Sequence, residues 1–367
     1  MRVGLFTPMK PPDHPVASGD RTFARLIVAA LERAGHRVIL PSRLVTWRAE
    51  PEGLDAICAE AEAEIERIAA IWRTEGAPDV LLTYHNYHKA PDLLGPRLAA
   101  RFGRPYAIVE ASRAVRRAVG PWARHFALAD AALVEADRVA AVTERDREGL
   151  APFVRRRLTL LPPFVDTAPF LGPRAEPTGT RLVSAAMMRG GRKAESLRVL
   201  AAAMGRLRTR AALTVAGDGP ERAGLEPLFP EGTFVGLLDR DALGRLFRES
   251  DLFVWPAIDE PFGFTFLEAQ AAGLPVVGGA SGGVADIVRD GETGLLVPPG
   301  DPEAFAAAID LLLADPKRRV AMGHAARAFA AENDLDAGAR RLDTLIGEAI
   351  LHRASQAPLG VQAVAPL

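Results

Sequence analysis

Short apolar runs alternate with stretches of helical spacing along nearly the whole chain. Residues 2–6, 37–40, 80–83, 107–109 and 138–143 read as strands, with a helix over 21–34 that Gly35 stops. A proline-rich stretch at 161–179 (Pro162, Pro163, Pro169, Pro173, Pro177) reads as a linker. The pattern then restarts with strands at 181–185, 212–215, 233–235, 252–254 and 274–277 and helices over 195–206 and 264–272. Three late helices follow, over 303–313, 318–332 and 335–351, and residues 352–367 read as a frayed tail. Apolar strands alternating with helices predict α/β architecture, with doubly wound parallel sheets covered on both faces. The expected division is 1–172 for a first Rossmann-like domain and 173–334 for a second. Ligands of such sheets bind beyond the carboxyl ends of the strands, so a cleft between the halves is expected to hold the site.

Composition narrows the function classes. The 367 residues carry a net charge of −1, which gives no overall field favouring nucleic acid. The single cysteine, Cys58, allows no intramolecular disulfide and reads as a buried small residue of a helix. Residues 1–6 are strand-like rather than signal-like, and no apolar run approaches the ~18 residues of a spanning helix. A cytoplasmic location is therefore expected. Only four lysines occur, at 10, 89, 193 and 317, so Lys193 stands out among the arginines.

Residues 260–283, EPFGFTFLEAQAAGLPVVGGASGG, carry the densest chemistry. Glu260 and Glu268 lie eight positions apart, with Gly263 between them. A helix beginning near Gly263 places Glu260 just before its N-terminus and Glu268 about one turn inside. The amides at such a start, including Phe264 and Thr265, suit phosphate, and the carboxylates suit sugar hydroxyls. Elsewhere, Ser18-Gly19 precedes a helix after the first strand. Arg189, Arg192 and Lys193 follow the first strand of the second half in what reads as a basic loop. Gly217-Asp218-Gly219-Pro220 forms a turn, with Pro220 expected at a first helical position. Residues 83–89, TYHNYHK, read as a polar-aromatic loop, and His85 and His88 there lack the partners a metal site needs.

The spacing E-P-F-G-x4-E, with A-x-G-x-P-V-V and the later glycines, closely resembles the retaining glycosyltransferases of family 4 (glycosyl transferases group 1, GT-B fold). The resemblance covers most of the second half and is weaker in the first. It implies a nucleoside-diphosphate sugar as co-substrate, no other cofactor and no metal. It implies that Glu260 contacts the donor sugar and Glu268 the nucleotide ribose. Lys193 would grip the diphosphate, and Gly19, Gly263, Phe264, Thr265 and Gly236 would line the donor site. The family's diphosphate-binding Arg falls on Met187 or Met188 here, which leaves Arg189 or Arg192 as its replacement. The family's His after the fourth strand is replaced by Glu110, which with His85 is expected on the acceptor side. The resemblance also implies that a helix over 335–351 crosses back to the first domain. The acceptor is unidentified, no nucleic-acid partner is expected, and the basic and apolar stretch 113–126 leaves peripheral membrane contact open. Two other readings carry the same fold: a GT-B nucleotide-sugar epimerase, and a non-catalytic two-domain sugar-binding protein.

Overall fold

The alternation builds two six-stranded parallel sheets. The computed structural model describes residues 1–16, 18–261 and 263–356. Contacts divide the chain into two units, one of Met1–Leu161 with Ala339–Leu367 and one of Pro162–Gly338.

In the first unit, β1 (Arg2–Phe6), β2 (Arg37–Ile39), β3 (Val80–Asn86), β4 (Tyr106–Ala111), β5 (Arg138–Ala141) and β6 (Leu158–Leu160) lie in the order β2-β1-β3-β4-β5-β6. The crossovers include α1 (Gly19–Arg33), α2 (Leu54–Glu75), α3 (Gly95–Phe102), α4 (Ala123–Glu135) and α5 (Glu144–Val154). Every residue of β4 is buried, whereas the edge strands β2 and β6 are partly exposed. That gradient follows from helices covering both faces of the sheet centre. Helix α1 opens with Ser18 as its cap, the hydroxyl accepting from Arg21 N at 3.2 Å. It buries Phe23, Leu26, Ile27 and Leu31, and the Phe23 ring meets Tyr84 of β3 edge-on at 5.5 Å.

In the second unit, β7 (Arg181–Ala185), β8 (Ala212–Ala216), β9 (Thr233–Gly236), β10 (Leu252–Trp255), β11 (Val276–Gly279) and β12 (Gly294–Val297) take the order β12-β11-β10-β7-β8-β9. Its helices are α6 (Arg192–Met204), α7 (Arg222–Leu225), α8 (Arg240–Glu249), α9 (Phe264–Ala271), α10 (Val284–Ile287), α11 (Pro302–Ala314) and α12 (Pro316–Glu332). Strands β10 and β11 are buried throughout. Helix α13 (Leu335–Gln356) carries the chain back into the first unit.

Several expectations shift. The contact division falls at 161/162 and 338/339, where the sequence suggested 172/173 and 334/335. The proline-rich stretch packs on the second unit: Val165 N donates to Asn333 O at 3.0 Å, and buried Phe170 stacks on Phe247 at 5.9 Å. The expected fraying at 352 does not occur, because α13 runs to Gln356. There His352 Nδ1 lies 2.9 Å from Asp137 Oδ1, and Arg353 donates to Asp137 and Glu135. Residues 357–367 of that tail lie outside the described residues. Pro220 sits two residues ahead of α7 rather than inside it. Cys58 is only partly buried, beside an opening between α2, α3 and α4. Residues 278 and 279 end β11 instead of forming a loop, because they run parallel to β12 in register with Leu296 and Val297.

Candidate functional site

The second unit gathers Lys193, Trp255 and Glu260, which the sequence separates by up to 67 positions. Lys193 lies in the first turn of α6, which begins at Arg192 rather than at the expected 195. It is thus held on a helix, not in a solvated loop. Its Nζ donates to Glu260 Oε2 and stands 5.4 Å from the centre of the Trp255 ring. Trp255, the last residue of β10, is 1% exposed and donates from Nε1 to the same Glu260 oxygen at 3.4 Å. The connecting segment after β10 is clamped on both sides. Ile258 N donates to Ser196 Oγ of α6 at 3.0 Å, and Gly283 N donates to Pro261 O at 2.6 Å. Ala257 and Asp259 adopt positive φ of 52° and 50°, a strained backbone that this clamping sustains.

Gly282 makes the approach to Glu260 possible. Its φ is 55°, and a Cβ placed there would stand 1.9 Å from the Glu260 carbonyl oxygen. No shift of a flexible side chain relieves a backbone clash. Gly282→Ala is therefore expected to displace Glu260 and destabilise the second unit by about 1–3 kcal/mol or more. Urea unfolding checks the stability, and loss of the Lys193–Glu260 pair in a structure of the variant checks the displacement.

Helix α9 starts at Phe264 behind Gly263, whose φ is 68°. Its first amides lack intrahelical acceptors, as at any helix start. Phe264 and Thr265 are half-buried there. Glu268 is the fifth residue of α9, as expected, with its side chain 12% exposed. Burial pushes its pKa from 4.5 up to about 7, against the pull of Arg240, while Asp166 pushes the same way as burial. Arg240, from α8, holds its Nη2 3.8 Å from Glu268 Oε1 and donates to the Asp166 carbonyl, with its guanidinium 5.4 Å from the Phe170 ring centre.

This burial has a signed consequence for stability. The folded-state pKa is raised, so ionising Glu268 costs folding free energy that is absent below about pH 4.5 and complete above about pH 7. The cost reaches about 3 kcal/mol. Glu268→Gln is expected to gain stability relative to the parent between pH 5 and 8. Denaturant unfolding at both pH values would show a constant difference if the carboxyl were instead freely hydrated.

The remaining donor-side candidates lie apart from this cluster or at its margin. Arg189 is half-buried in the turn between β7 and α6. Arg192 is exposed, its Nη1 2.9 Å from Glu195 and its Nε 3.7 Å from Asp259. Met188, one of the two methionines at the family Arg position, is fully buried, and its backbone pairs with Asp218 O and Glu221 N. Gly236 ends β9 with φ 73°.

The first unit holds a second cluster. Gly19 opens α1. Residues 83–86 prolong β3 instead of forming a loop, because their backbone stays in register with β4. His85 and Glu110 consequently lie side by side at the ends of these strands, Nδ1 to Oε1 3.4 Å. Both take left-handed backbone, at φ 74° and 60°. Burial pushes Glu110 well above the usual carboxylate range and lowers His85. His88 instead packs against Trp122 at 5.3 Å. Among the described residues no group of three His, Cys, Asp or Glu is placed to hold a metal ion, and no helix is long and apolar enough to cross a membrane.

Trp255 and Asp166 were not singled out from sequence, and Tyr84 was read only as part of the polar-aromatic run 83–89. Trp255 was legible as the residue ending an apolar strand five positions before Glu260. Arg240 and Asp166 reach Glu268 only through tertiary packing.

Comparison with known proteins follows the same division. Residues 192–329 match the model of the family Glycosyl transferases group 1. The sulfoquinovosyl transferase SQD2 of Arabidopsis thaliana is 38% identical over 138 residues, covering 36% of this chain and 27% of that protein. The chain thus matches about a quarter of that relative's length. Sucrose-phosphate synthase from Thermosynechococcus elongatus shares the fold with a TM-score of 0.74 at 23% identity, over 95% of this chain and 99% of that one. Anabaena HepE, solved in complex with UDP-glucose, gives a TM-score of 0.66 at 17% identity, over 95% and 99% of the two chains. The fold is the α/β GT-B class with two Rossmann-like sheets, and its segment 192–329 is similar throughout to the Glycosyl transferases group 1.

Proposed function

We propose that this protein is a retaining glycosyltransferase of family 4 that moves a sugar from a nucleoside-diphosphate sugar to a hydroxylated acceptor. The observation that carries this reading is the pairing of Lys193 with Glu260 beside Trp255, next to the start of α9. A cation, a carboxylate and a helix N-terminus in one place suit a diphosphate attached to a sugar. HepE, which shares the fold, binds UDP-glucose.

In this reading Glu260 accepts hydrogen bonds from the donor sugar, and Lys193 turns to the diphosphate once donor replaces it as Glu260's partner. Lys193, Arg189 and the amides of Phe264 and Thr265 stabilise the charge gathering on the departing diphosphate, without a metal ion. Glu268 accepts from the ribose hydroxyls, and Gly19 and Gly236 border the donor. His85 and Glu110 contact the acceptor. Transfer is a same-face displacement: the bond from the anomeric carbon to the diphosphate oxygen breaks, the bond to the acceptor oxygen forms, and the acceptor proton passes to the leaving diphosphate. The enzyme works in the cytoplasm.

Calorimetric titration with UDP, GDP and ADP tests the reading, with Glu268→Ala as control. Saturable binding of one nucleotide, lost in the control, is expected. Absence of binding by all three would overturn the donor site. An epimerase would consume the nucleotide sugar without any acceptor, and a sugar-binding protein would bind free sugar without nucleotide.

A further inference from the structure

Trp255 carries no role in the reading above, yet it touches both charged groups of the donor site. It ends β10 in register with Gly278 of β11, and it is 1% exposed. Its Nε1 donates to Glu260 Oε2 at 3.4 Å. Its ring centre lies 5.4 Å from Lys193 Nζ, which donates to the same oxygen. One indole thus meets the carboxylate through its N–H and the ammonium through its π face.

The backbone is bent to bring this about. Ala257 and Asp259, between Trp255 and Glu260, take positive φ of 52° and 50°. Ile258 N, between those two, donates at 3.0 Å to Ser196 Oγ of α6, the helix that carries Lys193. The bend turns Glu260 back onto the indole, and the lysine's helix is fastened to the same bend. The Glu260 side chain is 11% exposed and that of Lys193 35%, so solvent lies on the lysine's side of the pair.

We infer that Trp255 is a positioning residue that holds Glu260 in place while Lys193 changes partner. This rests on the reading of Lys193 and Glu260 as the donor site. When a diphosphate takes the ammonium, Glu260 loses its counter-charge while still largely buried. A carboxylate in that state turns toward water or takes up a proton. The indole N–H stays on Oε2 and favours the ionised form, which leaves Oε1 to accept from a sugar hydroxyl. The π face keeps the ammonium close without competing for its N–H donors. An aliphatic residue would supply neither contact, and a phenyl ring only the second.

Calorimetry reads this role as a difference between two ligands. UDP, GDP and ADP, and UDP-glucose, UDP-N-acetylglucosamine, GDP-mannose and ADP-glucose, are titrated into the parent and into Trp255→Phe. For the nucleotide that binds, the variant is expected to weaken its nucleotide sugar by about tenfold, the low end for a hydrogen bond to a charged group. The free diphosphate is expected to keep its affinity. Equal weakening of both would mean that the ring only packs, and unchanged binding of the nucleotide sugar would mean that its N–H holds nothing. Either result, or a diphosphate that binds while every one of these sugars fails to, overturns the inference and leaves the nucleotide site standing. A parent that binds no nucleotide overturns the donor-site reading and the inference with it. If Trp255→Phe does not fold, the indole N–H spectrum of the 15N-labelled parent carries the test. Substituting the other three tryptophans identifies the Trp255 signal, and Glu260→Ala gives its position when unbonded. Saturation with the nucleotide sugar is expected to leave the signal at its bonded position, and a shift to the unbonded one would overturn the inference.

Discussion

Replacing Lys193 by alanine is expected to lower the rate of sugar transfer by about 10²–10³-fold, the cost of removing one preorganised charge from a developing anion. The expectation follows from position. Lys193 is fixed on α6, and its Nζ lies beside the Trp255 ring against Glu260, a carboxylate only 11% exposed. In the proposed reading the donor sugar occupies Glu260 and leaves the ammonium with the diphosphate as its partner. The loss should fall on kcat more than on KM, because charge on the leaving group is greater in the transition state than in the bound donor. Lys193→Ala also strands Glu260 without a counter-charge, so some stability is lost with it. The double variant Lys193→Ala, Glu260→Gln separates the effects: it should regain stability but not transfer. Undiminished transfer in Lys193→Ala would exclude the lysine from the chemistry.

Glu268→Ala is expected to weaken nucleotide binding by about 10–100-fold, since hydrogen bonds to a charged group contribute about 1.5–3 kcal/mol. The same carboxyl makes affinity depend on pH. Its pKa of about 7 means that acid solutions hold it protonated. Ribose hydroxyls donate best to the ionised form. Nucleotide affinity should therefore rise as pH increases from 6 to 8, and this rise should vanish in Glu268→Gln. Calorimetry at several pH values reads both effects. A flat profile in the parent would show that Glu268 does not meet the ribose. Arg240, the cation that lowers the Glu268 pKa, sets where on the pH axis the rise occurs.

How much of this was legible in the sequence differs between the two units. Residues 260–283 are contiguous, so helix α9, its glycine start and the positions of Glu260 and Glu268 on either side of that start were readable from spacing. Strand β11 was misplaced by two residues, because Gly278 and Gly279 look like loop formers by themselves. They extend the strand because the neighbouring backbone leaves no room for a side chain: a Cβ on Gly279 would meet Pro256 O at 2.1 Å. Residues 84–86 of the polar run were misread in the same way, since polar residues can prolong a buried strand when its neighbour supplies the backbone partners.

By itself the sequence determined the alternating α/β pattern, the two parallel sheets that follow from it, and the glutamate pair around one helix start. These are local properties, set by side-chain periodicity and by glycine and proline over a few residues. Only the tertiary structure decided that Lys193 meets Glu260, that Arg240 lies beside Glu268 while bonding to Asp166, and that Glu110 lies buried beside His85. Those contacts join residues tens of positions apart. Strand order and helix packing place them, and burial fixes their charge, because the water removed from each carboxyl depends on chain that its own neighbours do not encode.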